Sequence, residues 1–141
     1  MLREILAVRQ DRPGLKRRWY QDEFFDLYTW HSYGGSLVRF QLCYDVRGRE
    51  RALTWSKQRG FSHNKVDSSE EYAGQPMTPL LVEDGRFPHR LVRARFQREA
   101  AILDHATRSL ILDKMREFGR HTARGEISLP RRLRTRPNPP I

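Results

Sequence analysis

Between Leu15 and Asp67 the chain is written in short runs whose apolar and aromatic residues recur at every second position, each run soon stopped by a turn-forming cluster. A period of two places successive side chains on opposite sides of an extended backbone, so this stretch can bury one face only as a sheet. The clearest run is Phe24 to His31, rich in residues that favour strands. It sets Phe25, Leu27 and Thr29 on one face and Phe24, Asp26, Tyr28 and Trp30 on the other. Ser32-Tyr33-Gly34-Gly35 then predicts a hairpin, and Ser36 to Tyr44 returns with Val38, Phe40, Leu42 and Tyr44 in phase. Asp45-Val46-Arg47-Gly48-Arg49 is a second turn and Glu50 to Ser56 a further strand, with Leu53 and Trp55 facing together. Leu15 to Tyr20 is set off by Asp11-Arg12-Pro13-Gly14, a short strand is expected in Gly60 to Asp67, and residues 2–9 read as a first strand or a turn or two of helix.

The period changes once. From Val92 to Phe118 the apolar residues Phe96, Ala100, Leu103, Thr107, Leu110, Ile111, Met115 and Phe118 fall on one side of a helix. Gly119 is expected at its C′ position, with Arg116 and Arg120 near the negative end of its dipole. Between the two regions, residues 68–90 are broken by Gly74, Pro76, Pro79, Gly85 and Pro88 and read as an irregular loop containing the apolar Pro79-Leu80-Leu81-Val82. The expected class is therefore α+β, mainly β: a bent antiparallel meander of about five short strands, a C-terminal amphipathic helix and a basic tail. Such a meander can bury its apolar face by closing into a small open barrel of the Sm-like or SH3-like kind, or by packing flat against the helix.

At 141 residues the chain suits one domain. That domain is expected over residues 1–119, with residues 120–141 a Pro/Arg-rich tail lacking order of its own. The tail holds six arginines (120, 124, 131, 132, 134 and 136) against Glu126, so it carries about half of the formal net charge of +10. Charge of this sign speaks to nucleic-acid attraction or to solubility rather than to fold. Cys43, the one cysteine, cannot form an internal disulfide or a cysteine-based zinc cage, and in Phe40-Gln41-Leu42-Cys43-Tyr44 it reads as a small core residue. The first nine residues are too interrupted by charge for a signal-peptide core, and no run approaches the roughly 20 apolar residues that cross a bilayer. The cytoplasm is the expected location and a membrane is not an expected partner.

The string Arg17-Arg18-Trp19 … Phe25-Asp26-Leu27 … Trp30 … Phe40-Gln41-Leu42-Cys43-Tyr44-Asp45 … Glu50-Arg51-Ala52-Leu53-Thr54-Trp55 … His63 … Val66-Asp67 resembles a family of small proteobacterial proteins of uncharacterised activity. The resemblance covers about residues 17–67. It implies an Sm-like variant of fold and carries no site residue with it, since no stretch matches the signature of RNA-binding Sm rings.

Three constellations could carry function. Lys16, Arg17, Arg18, Trp19 and Tyr20 set cations beside rings, and Trp30, Tyr33 and Trp55 add to them; single strands are held by bases stacked on rings and phosphates neutralised by guanidinium groups. The same residues would equally serve as the core and edge of a small β-domain. Arg131, Arg132, Arg134 and Arg136 could lie along phosphates as a basic arm, or be solvated. Asp26, Asp45, Glu50, His63 and Asp67 would form a hydrolytic or metal site only if they converged. No phosphate loop, dinucleotide fingerprint, nucleophile elbow or metal-binding helix pair is present, so no cofactor is expected. The leading expectation is a non-enzymatic module binding RNA or single-stranded DNA. A protein-interaction or homo-oligomeric scaffold and a small enzyme built on Asp26, His63 and Asp67 are the alternatives.

Overall fold

Strands form where the alternation runs, and each pairs with the strand before it. The computed structural model describes residues 1–67, 80–83 and 87–123. Strands β1 (Arg3–Ile5), β2 (Leu15–Gln21), β3 (Phe25–Ser32), β4 (Leu37–Tyr44), β5 (Arg51–Ser56), β6 (Gly60–Asp67) and β7 (Leu80–Glu83) make one antiparallel sheet in the order of the chain. Helices α1 (His89–Glu99) and α2 (His105–Ala123) follow. The fold is α+β, mainly β, and the sheet is open: among the described residues no ladder joins β1 to β7.

Register decides which side chains share a face. Tyr20, Leu27, Leu42, Leu53 and His63 are successive partners across β2 to β6, and Arg18, Thr29, Phe40, Trp55 and Phe61 form the next row. These rows and Phe25 face the helices. The core joins Phe25, Leu27, Phe40, Leu42 and Leu53 of the sheet to Val92, Phe96, Ile111, Met115 and Phe118 of the helices, with Phe25 meeting Phe96 edge-on at 5.6 Å. The two buried polar residues of this face are satisfied within it: Tyr44 Oη and His63 Nε2 hydrogen-bond at 2.7 Å, and Thr29 Oγ1 lies 3.0 Å from His31 Nε2. Leu2 is buried, its N–H donating to the Glu99 carbonyl at 2.9 Å, which ties the first strand to the end of α1.

Several sequence expectations are corrected. The helix expected over 92–118 is two helices, interrupted at 100–104, because Asp104 caps the second: its carboxylate accepts from the Thr107 N–H at 3.0 Å and from the Thr107 hydroxyl at 2.8 Å. The apolar spacing hides the interruption, since Phe96, Ala100, Leu103, Thr107, Ile111, Met115 and Phe118 are all buried on either side of it. Gly119 is not the C′ residue, for α2 runs on to Ala123. It sits inside the helix against α1, where a Cβ would stand 2.1 Å from His89 Cγ. The stretch 68–90 is not wholly irregular, since Leu80 to Glu83 pair with β6 (Lys65 opposite Val82) and α1 begins at His89. Residues 2–9 contribute only the three-residue β1. At the β3–β4 hairpin Gly35 has φ +98°, which only glycine takes without strain. The tail from 124 onward lies outside the described residues.

Candidate nucleic-acid interface

The opposite parity of the same strands builds the face that the helices leave. Trp19, Tyr28 and Gln41 are successive ladder partners there, and Arg17, Trp30 and Arg39 form the adjoining row. The cross-strand pair Trp19–Tyr28 stacks with centroids 5.4 Å apart and planes 14° from parallel, and Tyr28 continues to Trp30 at 6.1 Å. Guanidinium groups cover the column: Arg17 Cζ lies 4.9 Å from the Tyr28 centroid and Arg39 Cζ 4.8 Å from that of Trp30. The described ring contacts of Trp19, Tyr28 and Trp30 are with one another and with these arginines, not with either helix.

Two carboxylates hold the column in place. Asp11 accepts from Trp30 Nε1 at 3.0 Å and from Arg17 Nη1 at 3.1 Å, fixing the connection before β2 to the strand face. Burial works to raise the pKa of Asp11, but the Trp30 bond and the Arg17 charge outweigh it and hold the group below its ordinary value. Asp26 accepts from Trp19 Nε1 and is raised, because burial outweighs that bond. Beside it Glu50 is raised too, by burial first and then by the Asp26 charge, and burial pushes the Cys43 thiol up to about 12. Cys43 is thus a packed, unreactive residue.

The residues singled out from sequence divide between the faces. Arg17 and Trp19 stand on the open face, and so does Trp30, though at 5% exposed beneath Arg39 its ring is covered. Tyr20, 4% exposed, is in the core under the helices and is not available for stacking. Arg18 is turned to that same side, paired bidentately with Glu4 at 2.9 Å on each arm and 5.9 Å from the Tyr20 ring centroid. Lys16 is exposed but opposite His31, out of phase with the column. Trp55 is in the core and Tyr33 exposed at a hairpin tip. Arg131, Arg132, Arg134 and Arg136 lie outside the described residues. Tyr28, Arg39 and Asp11 complete the face beyond the residues the sequence points to; alternation from buried Phe40 puts Arg39 on the open side, and the ladder sets it opposite Trp30.

The polar set does not converge on one site: Asp26 and Glu50 are neighbours on the open face, but His63 is not with them. Asp26 shares a ladder row with Cys43, Ala52 and Asn64, so it and the neighbouring His63 lie on opposite faces of the sheet. Asp45 lies in the β4–β5 turn at φ 55°. An enzyme built on Asp26 and His63 has no shared site, and among the described residues no group of three or more His, Cys, Asp or Glu side chains is placed to hold a metal. No helix among them is long and apolar enough to cross a membrane. No protein-family model, curated protein or solved structure matches the chain.

Proposed function

We propose that the protein is a non-enzymatic, cytoplasmic module that binds single-stranded nucleic acid, RNA foremost, on the open face of its sheet. The observation that carries this reading is the stacked, half-buried pair Trp19 and Tyr28 with Arg17 over the Tyr28 ring, on the side that neither helix covers; Trp30, 5% exposed beneath Arg39, supports the column from within. Bases stack on rings and on guanidinium planes alike, while the arginine charge neutralises phosphates, and neither contact depends strongly on base identity. Modest sequence preference and a steep salt dependence follow. The Sm-like relationship belongs to the same proposal and rests on the resemblance over residues 17–67. The cytoplasmic placement draws on a single buried thiol, which suits a reducing compartment.

The test is a titration of the protein with short oligouridylate and oligothymidylate over a salt series, followed by tryptophan fluorescence. Stacking on Trp19 quenches its emission, and Trp19→Phe removes most of the quenching while the strand still binds. Unchanged emission at saturating strand at low salt would leave the face without a nucleic-acid role. Self-association measured by sedimentation, weakened by Trp19→Ala, would instead make it a contact between copies of the chain.

A further inference from the structure

At the hairpin end of the open face, Arg12 from the turn before β2, Arg39 from β4, and Lys57 and Arg59 from the β5–β6 turn line a cleft of about 400 Å³, together with Leu15 and Ser56. None of the four cations joins an ion pair among the described residues. The nearest acid on this edge, Asp11, is already engaged by Arg17 and Trp30. Arg39 is half-buried, and its Nε is shielded from water with no hydrogen-bond partner. Burial first, then the charge of Arg12, disfavours its protonated form, with Arg59 adding to this and the charge of Asp11 offsetting part of it. Like charges gathered round a cleft and left uncompensated are stabilised by an anion, and forked guanidinium groups suit the oxygens of a phosphate. The cleft is contiguous with the column, because Arg39 both lines it and covers the Trp30 ring.

We propose that this cleft takes the terminal phosphate of the single strand whose bases lie along Tyr28 and Trp19, with the Arg39 guanidinium over buried Trp30 between those bases and the cleft. A terminal phosphate monoester carries nearly two charges at neutral pH where an internal diester carries one, so four unpaired cations discriminate in its favour. This inference rests on the nucleic-acid reading above. It makes the protein a binder of phosphorylated strand ends rather than of strands in general.

The experiment compares three oligouridylates of about ten nucleotides, bearing a 5′-phosphate, a 3′-phosphate or hydroxyls at both ends, near physiological ionic strength. Wild-type protein is expected to bind one phosphorylated form about tenfold more tightly than the hydroxyl form. In Lys57→Gln/Arg59→Gln, both on an exposed turn, that ratio is expected to fall to about one while the hydroxyl form still binds. Equal binding of all three forms by wild type overturns the cleft inference and leaves the sheet-face reading standing. Failure of all three to bind overturns the sheet-face reading, and the strand end with it. A parallel titration with inorganic phosphate and uridine monophosphate identifies a free phosphate as the source if amide shifts at Lys57 to Arg59 saturate and are lost in the double variant.

Discussion

Gly119 meets His89 so closely that the two helices could not pack as they do with any side chain at position 119: an added Cβ would lie 2.1 Å from His89 Cγ and 2.4 Å from its Cβ. These are not the mobile far end of a chain but the root of the ring, so the helices themselves would have to move apart. Alanine gains roughly 1 kcal/mol over glycine in helix propensity, while overpacking a closed contact costs about 1–3 kcal/mol or more. At a separation this short the contact wins. Gly119→Ala is expected to lower the thermal midpoint, and His89→Gly in the same chain to restore it. An alanine variant as stable as the parent in urea unfolding would refute the close packing.

Asp104 separates α1 from α2 by accepting two hydrogen bonds from Thr107. Asp104→Ala is expected to cost about 1 kcal/mol, and Asp104→Asn much less, since asparagine caps almost as well. Chemical denaturation of the three proteins reads this ordering directly.

Tyr20 and Tyr28 stand on neighbouring strands but on opposite faces of the sheet. Tyr28→Ala is expected to weaken oligonucleotide binding roughly tenfold, in the range of one lost stacking contact. Tyr20→Phe keeps the buried ring and is expected to leave binding unchanged. Equal losses from both would mean that strand parity does not set the binding surface.

Burial raises Asp26 above the ordinary carboxylate value of 3.8 despite the bond from Trp19, and its charge helps raise Glu50. A group protonated more readily in the folded chain adds stability that is complete below its unfolded pKa and is lost as pH rises through its folded one. Asp26→Asn keeps an acceptor for Trp19 Nε1 and removes that loss. The variant is expected to match wild type in thermal midpoint at about pH 3 and to exceed it from about pH 6 upward. A difference independent of pH, or of opposite sign, would contradict the assignment. Asp11, Asp104 and Glu99 are shifted downward and act in the reverse sense, but they are common to both proteins and cancel in the comparison.

Cys43 is 6% exposed, with its thiol pushed up to about 12. At pH 8 the thiolate is on the order of one part in ten thousand, so iodoacetamide is expected to leave the folded protein unmodified and to alkylate it rapidly in urea. Prompt labelling of the native chain would show that the strand centre opens.

How far the sequence discloses this molecule depends on whether a signal is local. Alternation in Phe24–His31 and Ser36–Tyr44 predicts the central strands and their faces, because the period of two is a property of each strand alone. The helical stripe likewise picks out the buried residues from Phe96 to Phe118. The break at Asp104 escapes it because both helices turn the same side inward; the readable clue is Asp104 followed three positions on by Thr107. Gly119 misleads for a related reason, since a glycine that ends a helix and one that lets two helices touch look alike in sequence. The candidate site divides in the same way. Lys16 to Tyr20 are adjacent in the chain, but alternation sends Tyr20 and Arg18 one way and Arg17 and Trp19 the other. Arg39 and Asp11 join the rings only through register and a loop contact, which are properties of the assembled sheet.

The order of the elements along the chain has a consequence for synthesis. Each strand pairs with the one just before it, so the hairpins can close one by one as they leave the ribosome. Their lid, however, is encoded last: Phe96, Ile111, Met115 and Phe118 emerge only after β2 to β6 are complete. For an interval on the order of seconds, the greasy side of a nascent sheet is bare, while its arginine-covered side is already finished. A chaperone acting on this chain would meet it then, on the side later closed by α1 and α2.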